Sequence, residues 1–325
     1  MKRLLVIGAL LAAFVSLESA TMGWAQDAYP SRPVRVVVGF PAGGATDIVT
    51  RIFADRLGER LNARFVVENM PGGSSNNAAA AAARAQPDGY TLFVATNTNT
   101  TNVSLHKNLR YQFPGDFAPV GMLATAPTVL VVNTALNINS VGELIAAAKT
   151  RPGQIMYGSA GLGTGGFMAG ELLNMMAQIK LAHVPYKGTN EAVTDLLTGR
   201  ISVILPPFPI IAGFVGDNRL KLLAVTGSKR SAFAPDLPTV AESGVPGFDV
   251  TTWSALVAPK GTPEPIRKIL ADAIEEMARS EDVKKRVAAA GGEPLALSLD
   301  KLNAFMTAEV PKWAKVIEFA GVKVE

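Results

Sequence analysis

The chain has 325 residues, 48% of them hydrophobic, enough for two domains with cores of their own, and its formal net charge of +4 is too mild and dispersed to point to nucleic acid. It contains no cysteine, which excludes disulfides, thiol catalysis, Cys-ligated zinc and a lipid-anchored N-terminal Cys.

The first 25 residues read as an export signal. Lys2-Arg3 is a basic start, Leu4 to Val15 is an apolar run too short for a stable membrane anchor, and Gly23-Trp24-Ala25 supplies the small residues a signal peptidase needs. Cleavage is expected after Ala25. No later apolar run is long enough to cross a bilayer.

Val34 to Val38 is a β-branched run that reads as a buried strand. It leads into Gly39-Phe40-Pro41-Ala42-Gly43-Gly44-Ala45-Thr46-Asp47. Beyond this, Ile48, Ile52, Phe53, Ala54 and Leu57 fall at helical spacing as far as Gly58. A glycine turn that leaves a strand and opens a helix exposes N–H groups without intrahelical partners, and these can hold an anion. With no Lys, Arg or His in the loop, backbone dipoles and hydroxyls would have to do so. An ordinary tight connection is the alternative.

Phe65 to Asn69 is a second strand, Ser74 an N-cap for an Ala-rich helix through Arg84, and Tyr90 to Ala95 a third strand. This β-α-β-α-β opening predicts a parallel sheet covered by helices. Thr96 to Asn102 then reads as a polar loop at the carboxyl end of a strand, either a ligand site or a solvated connection. Pro127 to Asn133 is another strand, and Ser140-Val141-Gly142-Glu143 a capping box for a helix to Thr150. Gln154 to Tyr157 is a short strand that runs into the glycine-rich turn Gly158 to Gly166, with a helix from Phe167 to about Gln178. The strand, glycine turn and helix thus occur twice, about 120 residues apart, the basis for a clamp.

Leu181 to Tyr186 is a strand, Asn190 to Leu197 a helix and Ile201 to Leu205 a strand. The last runs into Pro206-Pro207-Phe208-Pro209, where no helix is expected to start. Leu220 to Val225 is a further strand, and the Pro-, Gly- and Ser-rich segment from Thr226 to Gly247 suits a crossing between lobes. Trp253 to Val257 is the last predicted strand. Thr262-Pro263 opens a helix with the stripe Ile266, Ile269, Leu270, Ala273, Ile274 and Met277. A final helix carries Leu302, Phe305, Met306, Trp313, Val316 and Ile317, with Pro311 expected to kink it.

Catalytic constellations do not assemble. Gly161-Leu162-Gly163-Thr164-Gly165-Gly166 matches the dinucleotide fingerprint G-x-G-x-x-G, but the strand after it has no acid to grip a ribose. Tyr157-Gly158-Ser159-Ala160-Gly161 lacks the first glycine of a nucleophile elbow. His183, inside a predicted strand, reads as structural and His106 as a surface residue. Asp47 suits a stabiliser of its helix dipole better than a base. No enzyme activity, cofactor or metal is expected. Trp253 is either core or a stacking surface, Tyr186 either offers its hydroxyl to a pocket or ends a strand, and Phe40 and Phe208 flank strand-end loops as pocket walls.

A series of segments carries a family resemblance. Tyr29-Pro30-Ser31-Arg32-Pro33 followed by Phe40-Pro41-Ala42-Gly43-Gly44 and Asp47 resembles the opening of mature Bug-type receptors of tripartite tricarboxylate transporters. So do Pro87-Asp88-Gly89-Tyr90-Thr91-Leu92, Gly158-Ser159-Ala160-Gly161, His183-Val184-Pro185-Tyr186-Lys187-Gly188 and Ala258-Pro259-Lys260-Gly261-Thr262-Pro263. The resemblance implies an α/β, two-lobe periplasmic-binding-protein (Venus flytrap) fold of type II-like layout with a mixed, mostly parallel sheet in each lobe. Residues 27–126 plus 227–325 would form lobe 1 and 127–226 lobe 2. It further implies a periplasmic receptor that captures a small organic mono- or dicarboxylate and delivers it to membrane permease subunits; a monomer is expected. A sensor feeding a signalling partner, or a nucleotide-dependent oxidoreductase, are the alternatives. Carried over residue by residue, the ligand contacts are Phe40, Ala42, Gly43, Gly44, Asp47, Thr96, Asn97, Ser159, Gly163, Thr164 and Gly165. Phe167 and Pro206-Pro207 depart from the pattern of many relatives. The second departure removes polar groups and favours an aliphatic or aromatic carboxylate over an amino acid.

Overall fold

Two five-stranded sheets organise the chain in the computed structural model, which describes residues 29–322. The expected export signal lies outside the described residues. In the first sheet β1 (Val34–Val38), α1 (Ala45–Leu61), β2 (Phe65–Asn69), α2 (Asn76–Ala83) and β3 (Thr91–Thr96) alternate, so that β1 pairs in parallel with both β2 and β3. Four of the five β1 residues are buried, which is why it reads as a continuous apolar run rather than an alternating one. After α3 (Asn97–Leu105), β4 (Phe117–Pro127) takes the far edge.

The chain then builds a second sheet from β5 (Val129–Asn133), α4 (Val141–Thr150), β6 (Met156–Ser159), α5 (Gly165–Ala177), β7 (Ala182–Pro185), α6 (Thr189–Leu197), β8 (Val203–Ile204), α7 (Phe208–Ala212) and β9 (Leu220–Val225). It returns to the first sheet as β10 (Thr251–Pro259), antiparallel between β3 and β4. The orders are β2-β1-β3-β10-β4 and β7-β6-β8-β5-β9, and in each the fourth strand runs against its neighbours. α8 (Glu264–Arg279), α9 (Glu281–Ala289) and α10 (Leu299–Ala320) complete the chain.

Three segments pass between the sheets side by side. Thr128 N–H donates to Thr226 Oγ1 at 3.0 Å, Thr226 N–H to Thr128 O at 2.9 Å, and Val250 N–H to Thr226 O at 2.8 Å. α10 also spans both cores. Leu302 and Met306 pack with the first sheet, whereas Trp313, Val316 and Ile317 join the second together with Val240, Val245, Phe248 and Val250. Between these two groups Glu309 is buried and accepts from Trp313 Nε1 at 2.7 Å, Lys312 Nζ at 3.0 Å and Trp253 Nε1 at 3.4 Å.

Three local expectations are corrected. Thr96 to Asn102 is not a loop: all but the first belong to α3, whose opening is fixed by Asn99 Oδ1 accepting the Thr96 N–H at 2.9 Å. Buried Ser, Thr and Asn disfavour helices because they compete for backbone groups, but here Thr100 bonds to Asn97 O and Asn102 to Ser74 O. Helix α7 does start in the proline run, since Pro207 is its N-cap and Pro209 lies in its first turn, where a missing N–H costs nothing. Ser75 rather than Ser74 precedes α2. Among the described residues, no helix is long and apolar enough to cross a membrane and no cluster of side chains could hold a metal ion.

Candidate functional site

A cavity of about 430 Å³ opens where the carboxyl ends of the parallel strands of both sheets meet. Besides the short α7, four helix starts line it: Ala45 and Thr46 of α1, Asn97 and Thr98 of α3, Gly165 and Gly166 of α5, and Thr189 of α6. At α1, α5 and α6 no side chain caps the first turn, so their leading N–H groups are unclaimed by the chain's own capping groups. Each helix start carries roughly half a positive charge from its aligned peptide dipoles. None of the residues lining the cavity is Lys, Arg, His, Asp or Glu. The site therefore offers an anion a positive, uncharged lining.

Seven of the residues singled out from the sequence lie on the wall: Phe40, Thr96, Asn97, Ser159, Thr164, Gly165 and Trp253. Trp253 belongs to the first core, 3% exposed, and also forms part of the lining. The other seven stand apart from it. Ala42, Gly43 and Gly44 face solvent. Asp47 is buried behind them, where its carboxylate accepts from Gly43 N–H at 2.9 Å, Asn69 Nδ2 at 2.9 Å and Arg51 Nε at 3.0 Å. Burial pushes this carboxyl up, but the Arg51, Gly43 and Asn69 donors outweigh it and hold it below the ordinary range. Asp47 braces the first glycine turn from outside the cavity. Gly163 meets the other side of the cleft, with its carbonyl 3.5 Å from Thr101 Oγ1. The Tyr186 hydroxyl donates to Asp195 at 3.0 Å, and burial together with that carboxylate pushes it up to about 12. Phe208 stacks on Phe233 with ring centroids 5.8 Å apart.

A family model described as the tripartite tricarboxylate transporter family receptor matches residues 49–322. The chain belongs to this family. The receptor is 33% identical over 319 residues to protein BugT of Bordetella pertussis strain Tohama I, which covers 98% of each chain. Among solved structures it is similar to R. palustris Rpa4515 with adipate, at 34% identity and a TM-score of 0.78 over 91% of this chain and 100% of that one. It is also similar to MatC (Rpa3494) from Rhodopseudomonas palustris with bound malate, at 29% identity and 0.72 over 89% and 100%. Its architecture is the two-lobe α/β fold of periplasmic binding proteins.

Several parts of the receptor's wall carry no sequence signal of their own. Thr252 and Gly291 reach it from segments far along the chain, whereas Thr46 and Thr98 lie in the glycine turn and the polar run already singled out. Gly291 sits so close to α7 that a Cβ built on it would lie 1.8 Å from Pro209 Cγ. A Cβ on Gly165 would lie 2.4 Å from Thr252 Cγ2. These two approaches and the one at Gly163 join the lobes across the cleft. Beneath the wall, Ser159 Oγ is 2.7 Å from His183 Nε2 and accepts from Gly161 N–H at 3.1 Å. The imidazole lies 4.9 Å from the rings of both Tyr157 and Phe167, and burial holds it down to about 4, so it is neutral at pH 7. His183 thus has the structural role expected of it, orienting a hydroxyl of the wall. His106, expected at the surface, is half-buried at the end of α3.

Proposed function

We propose that this receptor closes on a small organic carboxylate in the periplasm and delivers it to permease subunits of a tripartite transporter. The observation that carries the reading is the meeting of helix starts from both lobes at one cavity without a charged side chain. A carboxylate touching both sides favours the closed arrangement by its contacts to each, and no bond is made or broken. The adipate and malate held by two structural relatives support this choice of ligand. The paired segments at Thr128, Thr226 and Val250 are where closure would bend, with the lobe boundaries near residues 127 and 226. Export after loss of the first 25 residues and action as a monomer belong to the same reading.

Titration calorimetry at pH 7 with hexanoate and adipate, beside the neutral isostere hexanamide, tests it. Binding is expected for at least one acid and not for the amide. Equal binding of the amide, or no binding of either acid at millimolar concentration, would overturn the carboxylate assignment.

A further inference from the structure

The four helix starts at the cavity are not equivalent. α1 carries Asp47 in its first turn and α6 carries Glu191, and each acid already opposes its helix dipole. The Asp47 carboxylate accepts from Gly43 N–H, and that of Glu191 from Lys187 N–H at 3.1 Å, so both sit at the leading turn. α3 and α5 have no acid in their first turns. One start without an acid therefore comes from each lobe, α5 uncapped and α3 with its Asn99 N–H already held by Thr96, and the two together frame one carboxylate.

The stretch of wall after β8 has little to offer a second one. After β8 the lining runs through Leu205, Pro206, Pro207, Pro209 and Ile210, and the three prolines have no N–H to donate. Ile210 N–H is committed to Pro207 O at 3.1 Å, and Pro206 O already accepts from Val129 N–H at 2.9 Å. Ala192 of α6 and Gly291 lie on the same cavity. A carboxylate set against this stretch would lose its hydration and gain no donor.

We infer that the ligand is a monocarboxylate with an uncharged, apolar body, its single carboxylate between the α3 and α5 starts and its body against the Leu205–Ile210 wall. This rests on the carboxylate reading above and narrows it. Length is not the discriminator, because hexanoate and adipate share a six-carbon chain and differ only in the far methyl or carboxylate.

Calorimetry of the purified, extensively dialysed receptor at pH 7 compares hexanoate, 3-phenylpropionate and adipate. Hexanoate is expected to bind at least about 30-fold more tightly than adipate, which is about 2 kcal/mol. Phenylpropionate is expected to behave like hexanoate. Adipate binding as tightly as hexanoate would overturn the inference and leave the carboxylate reading standing. Binding of none of the three would remove that reading, and the inference with it. Ile210→Lys, which places a cation on the apolar wall, is expected to move the adipate-to-hexanoate ratio toward adipate by about tenfold or more. An unchanged ratio in a folded variant would show that this wall does not face the ligand's far end.

Discussion

Gly165 is the first residue of α5, and its missing side chain is what lets the second lobe meet β10 of the first. In Gly165→Ala the new Cβ would stand 2.4 Å from Thr252 Cγ2. Carbon atoms in contact sit about 3.5–4.0 Å apart, so the two lobes would have to part by roughly 1 Å there. Thr252 cannot turn its methyl away without cost, because its Oγ1 donates to Ala126 O at 2.8 Å. Overpacking of this kind costs about 1–3 kcal/mol. If closure is what brings these two residues together, the cost falls on the closed state alone and carboxylate affinity should drop roughly 5- to 150-fold. Thermal stability of the ligand-free protein should hold or rise slightly, since alanine is the better helix former. Calorimetry with hexanoate on wild type, Gly165→Ala, Thr252→Ser and the double variant measures the effect. The serine keeps the hydroxyl and removes the methyl, so the double variant should regain most of the lost affinity. Unchanged affinity in Gly165→Ala, or no recovery in the double variant, would refute the idea that closure brings these two residues together.

Other perturbations test the supports of the site. The fold refuses His183 a proton until about pH 4, whereas the unfolded chain accepts one below about pH 6.5. Stability is then full above neutral pH and falls between pH 6.5 and 4, by at most about 3 kcal/mol and about half that for a partly exposed ring. Urea unfolding at pH 7 and 4.5 should show a smaller loss in His183→Gln than in wild type. Glu309→Leu would strand the indole N–H groups of Trp253 and Trp313 and should cost about 2–4 kcal/mol, with Glu309→Gln losing far less, as read by tryptophan fluorescence during unfolding. Asp47→Asn should lower stability by about 1–3 kcal/mol through its weakened bonds to Arg51 and Gly43. Its effect on carboxylate affinity should stay under about tenfold, because Asp47 does not line the cavity.

The local devices are legible in the order of residues alone. Val34 to Val38 and the glycine turn after it, and Gly158 to Gly166 ahead of a helix, are legible because strand periodicity, turn geometry and helix capping depend on near neighbours in the chain. Local signals misled where distant partners outweighed them. Thr96 to Asn102 looked like a loop until Ser74 and Asn76 supplied bonds to Asn102. β4 gave no strand signal because its place is set by β10, more than a hundred residues later. Among the site residues, Asp47 and Gly43 were in the right turn but point to each other, whereas Thr252 and Gly291 had no motif to announce them. Which helix starts share a cavity, and how closely Gly165 and Gly291 bring the lobes together, is set by contacts between segments far apart in the chain. The reason is physical: a helix's dipole is built from its own backbone, but the space it points into is made by strands and helices brought there from elsewhere in the chain.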